Sequence, residues 1–195
     1  FGSRNLAEDR SACIMHARQH AGMAFWCVLL VLEICFPSQV TGIGGGRTCP
    51  GNITMAGYGQ VSIVPTGWAG DGWSLVKVGN KQLVTHMGGR GYFAHACTVG
   101  SYDHNQYVAL NLLGMRLRYI TDMSGAGCGC NAAFYLVSMR QNTHPSECSD
   151  YYCDANKVCG ETCAELDIQE GNIHAWHSTL HTSSDPFGVG GGYGG

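Results

Sequence analysis

The stretch Ala164-Glu165-Leu166-Asp167-Ile168-Gln169-Glu170 places three carboxylates, spaced E-x-D-x-x-E, in a sequence that otherwise has few charges. Leu166 and Ile168 alternate with Glu165 and Asp167, which is the period-two pattern of a half-buried β-strand. Glu165 and Asp167 therefore lie on one face of the predicted strand. A bulge at Ile168 or Gln169 would bring Glu170 to the same face, and bulges are frequent beside active sites.

Three carboxylates on one face repel one another, so the stability of a sheet does not explain them. A retaining glycosidase does use such a set, because it needs an ionised nucleophile and a protonated general acid about 5–5.5 Å apart. A third carboxyl group between them can keep their pKa values apart. A solvated strand face with three scattered acids is the alternative that this pattern alone leaves open.

Further motifs surround the carboxylate strand in a fixed order. Leu112-Leu113-Gly114 is followed by the segment Cys128-Gly129-Cys130-Asn131-Ala132-Ala133-Phe134-Tyr135-Leu136-Val137-Ser138-Met139 and by Tyr152-Cys153-Asp154. Gly171-Asn172 follows the third carboxylate, and Thr179 and His181 lie further on. Over residues 110–183 this order resembles glycoside hydrolase family 7, the cellulases of fungi and some protists.

The resemblance implies a role for each matching residue. Glu165 aligns with the nucleophile, Asp167 with the assisting acid and Glu170 with the general acid/base. Other aligned positions are expected to bind substrate, and they are Asn131, Tyr135, Tyr152, Asp154, Asn156 and His181. The implied fold is a lectin-like, concanavalin-type jelly-roll β-sandwich, which would be incomplete if the chain is an N-terminal fragment of a longer enzyme.

The chain departs from the family pattern at several positions. Gln169 stands where the family usually has Trp, and Lys157 and Thr162 replace a pair of cysteines. The resemblance still implies a disulfide between Cys153 and Cys163. The short connection between the Tyr-Cys-Asp motif and the carboxylate strand favours an open cleft and endo action over exo action.

Composition points to the same fold class and to an oxidising compartment. The 195 residues include 29 glycines and 11 cysteines, with a net charge of -3, so no basic surface for nucleic acid is expected. Short β-rich runs separated by turn residues predict an all-β sandwich or jelly roll. The predicted strands are Gln60–Val64, Trp73–Val78, Gln82–Thr85, Tyr107–Leu112, Met115–Ile120, Ala133–Met139 and Ala164–Ile168.

The N-terminal region has the layout of a secretory signal peptide. An apolar run over residues 24–36 follows Arg18 and precedes a short polar stretch, and the run is short for a membrane span. We therefore expect an upstream or non-native leader at residues 1–14, a signal peptide at 15–42 and a family 7-like catalytic domain at 43–195. Asn52-Ile53-Thr54 is an N-glycosylation sequence that a secreted chain could use.

The sequence thus predicts a secreted, monomeric, retaining β-1,4-glucanase acting on β-glucan, with no metal or cofactor and no stable membrane association after signal cleavage. A zinc site at His174, His177 and His181 is a weaker alternative, since no metal-binding motif accompanies them. Two further alternatives are a family 16-like β-1,3-glucanase, which shares E-x-D-x-x-E, and a non-catalytic carbohydrate-binding sandwich.

Overall fold

The computed structural model describes the backbone of Cys27–Val28 and residues 47–68 and 72–181. Regular structure in these ranges consists of β-strands and three short 3-10 helices. The strands are β1 (Cys27–Val28), β2 (Asn52–Met55), β3 (Gly59–Gly67), β4 (Val76–Gly79), β5 (Gln82–Thr85), β6 (Gly89–Ala94), β7 (Ala132–Val137), β8 (Glu165–Gly171) and β9 (Trp176–His181). The 3-10 helices are Gly72–Ser74, His104–Gln106 and Met139–Gln141.

Seven strands form one sheet in the order β2-β3-β6-β1-β7-β8-β9, and β4 pairs with β5 in a second, two-stranded sheet. The pairs β2–β3, β3–β6, β7–β8 and β8–β9 are antiparallel, whereas β1 runs parallel to both of its neighbours. The all-β prediction is confirmed, and the arrangement is consistent with a β-sandwich. The jelly-roll order of strands remains a prediction.

The predicted leader and signal peptide lie outside the described residues, apart from the backbone of Cys27–Val28 in β1. Within the described part of the chain, no helix is long and apolar enough to cross a membrane.

Aromatic side chains between β6, β7 and the Tyr-Cys-Asp segment dominate the core. Tyr92 contacts Tyr107 edge-on at 5.4 Å between ring centroids, and Tyr119 contacts Phe134 at 4.8 Å. Such edge-to-face pairs add to the free energy gained by burying the rings. The buried members of this cluster are Val64, Tyr92, Ala94, Tyr107, Ala133, Phe134, Tyr135, Met139, Tyr152, Cys153 and Cys159.

Disulfides tie the irregular segments to this core. The predicted bridge between Cys153 and Cys163 is confirmed, with its Cα atoms 5.5 Å apart. Further bridges join Cys49 to Cys97 and Cys148 to Cys159, and Cys130 is disulfide-bonded as well. Two of the bridges therefore enclose the segment that leads into β8.

Two predicted strands are absent. Tyr107–Leu112 and Met115–Ile120 are irregular apart from an isolated bridge between Ala94 and Tyr107. In the second of them, Met115 is 69% exposed and Ile120 is 89% exposed. Their apolar pattern suits a strand, but a strand forms only where a neighbour supplies the ladder of hydrogen bonds. The predicted strand Trp73–Val78 is also divided, since a 3-10 helix occupies its first part.

Candidate active site

The predicted bulge is present in β8. Asp167 and Glu170 are three residues apart, but their partners in β9, Thr179 and His177, are only two apart. Likewise, Asp167 and Gln169 are two residues apart and pair with adjacent residues of β7. Ile168 is therefore the extra residue, and Ser178 Oγ in β9 donates a hydrogen bond of 2.7 Å to its carbonyl oxygen. The bulge returns Glu170 to the face that carries the other two carboxylates.

All three carboxylates are buried, which is unusual for ionisable side chains. Glu165 is 8% exposed, Asp167 2% and Glu170 3%. Charge held in such an environment is costly unless hydrogen bonds or opposite charges compensate for the lost water. The partners of each carboxyl group therefore decide which of them is ionised.

Glu165 and Asp167 form a hydrogen-bonded pair. The backbone N–H of Ala155, in the Tyr-Cys-Asp segment, donates to Glu165 Oε2 at 2.7 Å. On the other side, His181 Nε2 lies 2.9 Å from Asp167 Oδ2. One donor from a distant loop and one from the neighbouring strand thus hold the two side chains in contact.

The pKa values of both members of this pair are raised. Burial is the main cause, and with the neighbouring Asp167 carboxyl group it raises the pKa of Glu165 to about 9. Burial likewise raises the pKa of Asp167, although its contacts with Glu165 and His181 oppose the rise. The pair therefore retains a proton at neutral pH, and Glu165 becomes an anion when that proton moves to Asp167.

Glu170 has a donor for each of its carboxyl oxygens. Asn131 Nδ2 donates to Oε1 at 3.0 Å, and His177 Nε2 lies 2.8 Å from Oε2. Burial, followed by the charge of Asp167, raises the pKa of Glu170, while Asn131 and His177 oppose that rise. A carboxyl group with a raised pKa can remain protonated toward neutral pH, as a general acid must.

The other predicted substrate-binding residues lie around this site and are buried or half-buried. Tyr135 pairs with Asp167 across β7 and β8. The hydroxyl groups of Tyr135 and Tyr152 bond to each other, and both rings are buried. Asp154 is buried and accepts a hydrogen bond from the backbone of Val158, and Asn156 is half-buried. Their contact with a saccharide remains a prediction.

A buried ion pair beneath the two tyrosines was missing from the sequence analysis. Arg90 Nη2 donates to Asp150 Oδ2 at 2.9 Å, and both side chains are fully buried. The guanidinium group also lies 3.9 Å from the ring centroid of Trp68 and 4.7 Å from that of Tyr152. A lone arginine between glycines in an apolar run, Gly89-Arg90-Gly91, was the available signal.

The three histidines of the zinc alternative do not form one ligand set among the described residues. The group close enough to share a cation consists of Glu165, Asp167 and His181, whose polar atoms lie within 4.8 Å of one another. Neither His174 nor His177 belongs to the group.

A mainly apolar groove of about 420 Å³ runs beside β7. It reaches Glu165 and His181, but Asp167 and Glu170 are not among its lining residues. Leu136, Leu166 and Leu180, which pair across β7, β8 and β9, line it as well. The groove therefore does not extend over the three carboxylates as a saccharide cleft would.

Comparisons with known proteins find several similar proteins that are named as glucanases. The chain is similar to Endoglucanase 1 of Pyricularia oryzae, at 32% identity over 101 residues, covering 42% of this chain and 24% of that protein. It is 29% identical to Endoglucanase EG-1 of Hypocrea jecorina over 167 residues, covering 73% and 35% of the two chains. Exoglucanase GH7B of Limnoria quadripunctata is 26% identical over 178 residues, covering 70% and 39%.

These relatives confirm the predicted resemblance to glycoside hydrolase family 7 and its cellulases. No family model and no solved structure matches the chain. The chain spans between about a quarter and two fifths of the length of these relatives.

Proposed function

We propose that this chain carries the catalytic centre of a secreted, retaining β-1,4-glucanase that hydrolyses cellulose or related β-glucans. The carboxylate face of β8 supports the proposal most directly. A bulge at Ile168 brings three acids to one side of the sheet, and burial raises the pKa of each of them. The similarity to proteins named endoglucanases supports endo action on a glucan.

In the proposed mechanism Glu165 attacks the anomeric carbon of the sugar and Glu170 protonates the leaving oxygen. Water activated by Glu170 then hydrolyses the glycosyl-enzyme, so that the configuration is retained. Asp167 accepts the proton that Glu165 must lose before it can attack. The Ala155 N–H, at 2.7 Å, favours the resulting anion.

The test compares the chain with its Glu165→Gln variant on soluble carboxymethyl-cellulose and on a chromogenic cellobioside. The variant keeps the shape of the side chain but cannot form the covalent intermediate, so turnover should fall by at least about 10³-fold. Glu147→Gln is a matched control, because Glu147 is exposed. Equal turnover by the Glu165 variant and the unsubstituted chain would reject Glu165 as the nucleophile.

Product stereochemistry tests the second half of the mechanism. NMR of a fresh hydrolysate should show the β-anomer first, because two displacements restore the original configuration. An α-anomer as the first product would reject double displacement while leaving glucan hydrolysis itself established.

A non-catalytic carbohydrate-binding protein is the second candidate, and the burial of all three carboxylates to 8% exposure or less favours it. Such a protein would be retained on cellulose, and Glu165→Gln would not change that retention. It would release no reducing ends from carboxymethyl-cellulose at any pH.

A further inference from the structure

The side chain of His177, on β9, is the most exposed group in direct contact with the three carboxylates. It is 64% exposed, whereas the Glu170 carboxyl group 2.8 Å away is 3% exposed. The bulge creates this contact, because it places Glu170 opposite His177 in the β8–β9 pairing. Solvent therefore reaches the imidazole directly, while Glu170 stays shielded from it.

The two oxygens of Glu170 have unequal partners. The amide of Asn131 can only donate from Nδ2, so the contact at Oε1 persists in both protonation states. Nε2 of a protonated imidazole donates to Oε2 and attracts a negative charge there. A proton on Oε2 would instead require the imidazole to accept or to turn away.

We propose that His177 is a positioning residue that clamps Oε2 of Glu170 and favours the ionised form of that carboxyl group, an inference that rests on the proposed function. His177 thereby opposes Asp167, the acidic group that acts on Glu170 from within β8. Asn131 faces Glu170 from the loop before β7, and on β9 His181 contacts Asp167. His177 is the most exposed residue of this set.

The sign of the effect follows from these contacts. A protonated His177 stabilises the Glu170 anion, so its removal should raise the pH at which Glu170 loses its proton. In the proposed mechanism Glu170 acts first as an acid. The alkaline side of the pH–activity profile should therefore move to higher pH when His177 is removed.

The test is a carboxyl ¹³C NMR titration of the whole chain labelled in glutamate, with the Glu170 signal assigned by its loss in Glu170→Gln. His177→Gln keeps a hydrogen-bond donor but no charge, and the titration midpoint of Glu170 should rise by roughly 0.5–1 pH unit. His177→Lys restores a positive charge and should return the midpoint to its original value or below. His174→Gln, at an exposed histidine of the same hairpin, is the matched control and should leave the midpoint unchanged.

An unchanged midpoint in His177→Gln overturns the proposal, as does an equal midpoint in the Gln and Lys variants, because charge would then not be the cause. The titration needs no turnover, so it separates this inference from the proposed function. A midpoint that moves as expected in a chain without glucanase activity would establish the clamp and reject the function.

Discussion

The carboxylate pair should make folding of this protein strongly dependent on pH, and Glu165→Gln should remove most of that dependence. The pKa of Glu165 rises from the ordinary 4.5 to about 9 on folding. Between these values the folded chain binds a proton that the unfolded chain has released, so raising the pH favours unfolding. The stability that the protonated side chain allows is complete below about 4.5 and is lost progressively as the pH rises toward about 9.

The size of the effect follows from linkage. One additional bound proton changes the free energy of unfolding by about 1.4 kcal/mol per pH unit. Between pH 5 and 8 the loss reaches at most about 4 kcal/mol, and sharing of the proton with Asp167 reduces it toward about 2 kcal/mol. A glutamine at position 165 resembles the protonated glutamate, since it can donate to Asp167 and accept from Ala155.

Urea unfolding at pH 5 and at pH 8, followed by tryptophan fluorescence, measures this difference. The variant should match the unsubstituted chain at pH 5 and exceed its free energy of unfolding by about 2–4 kcal/mol at pH 8. Glu147→Gln removes an exposed carboxylate and should preserve the original pH dependence. Parallel stability curves for the unsubstituted chain and Glu165→Gln would refute the proton that we assign to the pair.

Three further predictions concern the surroundings of the site. Arg90→Met should lower the free energy of unfolding by about 3–5 kcal/mol, because it leaves the buried Asp150 carboxylate without its ion-pair partner. Adding Asp150→Asn should recover part of that loss, and additive effects of the two substitutions in urea titrations would contradict this pairing. Replacing Cys153 and Cys163 together by serine should cost about 2–3 kcal/mol from loop entropy alone, and an unchanged urea midpoint would show that the bridge adds no stability. Asp167→Asn removes a negative charge beside Glu170, so under the proposed function the alkaline side of the pH–activity profile should move to lower pH; a profile that stays in place would contradict this electrostatic coupling.

The sequence pattern predicted the carboxylate face because its information is local. Alternation places Glu165 and Asp167 on one side, and the extra residue before Glu170 demands a bulge that the pairing with β7 and β9 contains. The family resemblance added the bridge between Cys153 and Cys163, which spacing alone could not assign. These predictions depend on neighbouring residues or on matching motifs, so they can be made from one sequence alone.

The donors to the carboxylates were less accessible to sequence reasoning. Ala155 acts through its backbone N–H, which any residue except proline would supply at that position, so no residue type marks it. Asn131 and His177 approach Glu170 from separate elements, and their contacts depend on strand order and register. The alignment of Asn131 predicted that it lies near the site, but not that it bonds to Glu170.

Strand assignments failed where burial and pattern disagree. β6 was missed because two glycines interrupt its apolar run, yet a Cβ atom at Gly91 would lie only 3.3 Å from Ile63 and 3.4 Å from Val76. Close packing against β3 and β4 therefore favours glycine inside this strand. β9 was missed because most of its side chains are exposed and its two apolar residues, Trp176 and Leu180, do not mark a buried face. Met115–Ile120 was predicted as a strand, but only Leu117 and Tyr119 pack against the core, and no strand in the described part of the chain pairs with the segment.

The arrangement of crosslinks follows from the energetics of the carboxylates. Burying Glu165 costs stability at neutral pH, and the Ala155 amide compensates for part of that cost only if its loop stays in place. The bridges from Cys148 to Cys159 and from Cys153 to Cys163 both span Ala155, so they restrict the loop that supplies this donor. A flexible loop would lose this hydrogen bond, and the pKa of Glu165 would then rise further, because the Ala155 N–H opposes the effect of burial. The disulfides therefore hold in place the donor that favours the Glu165 anion, as well as the fold around it.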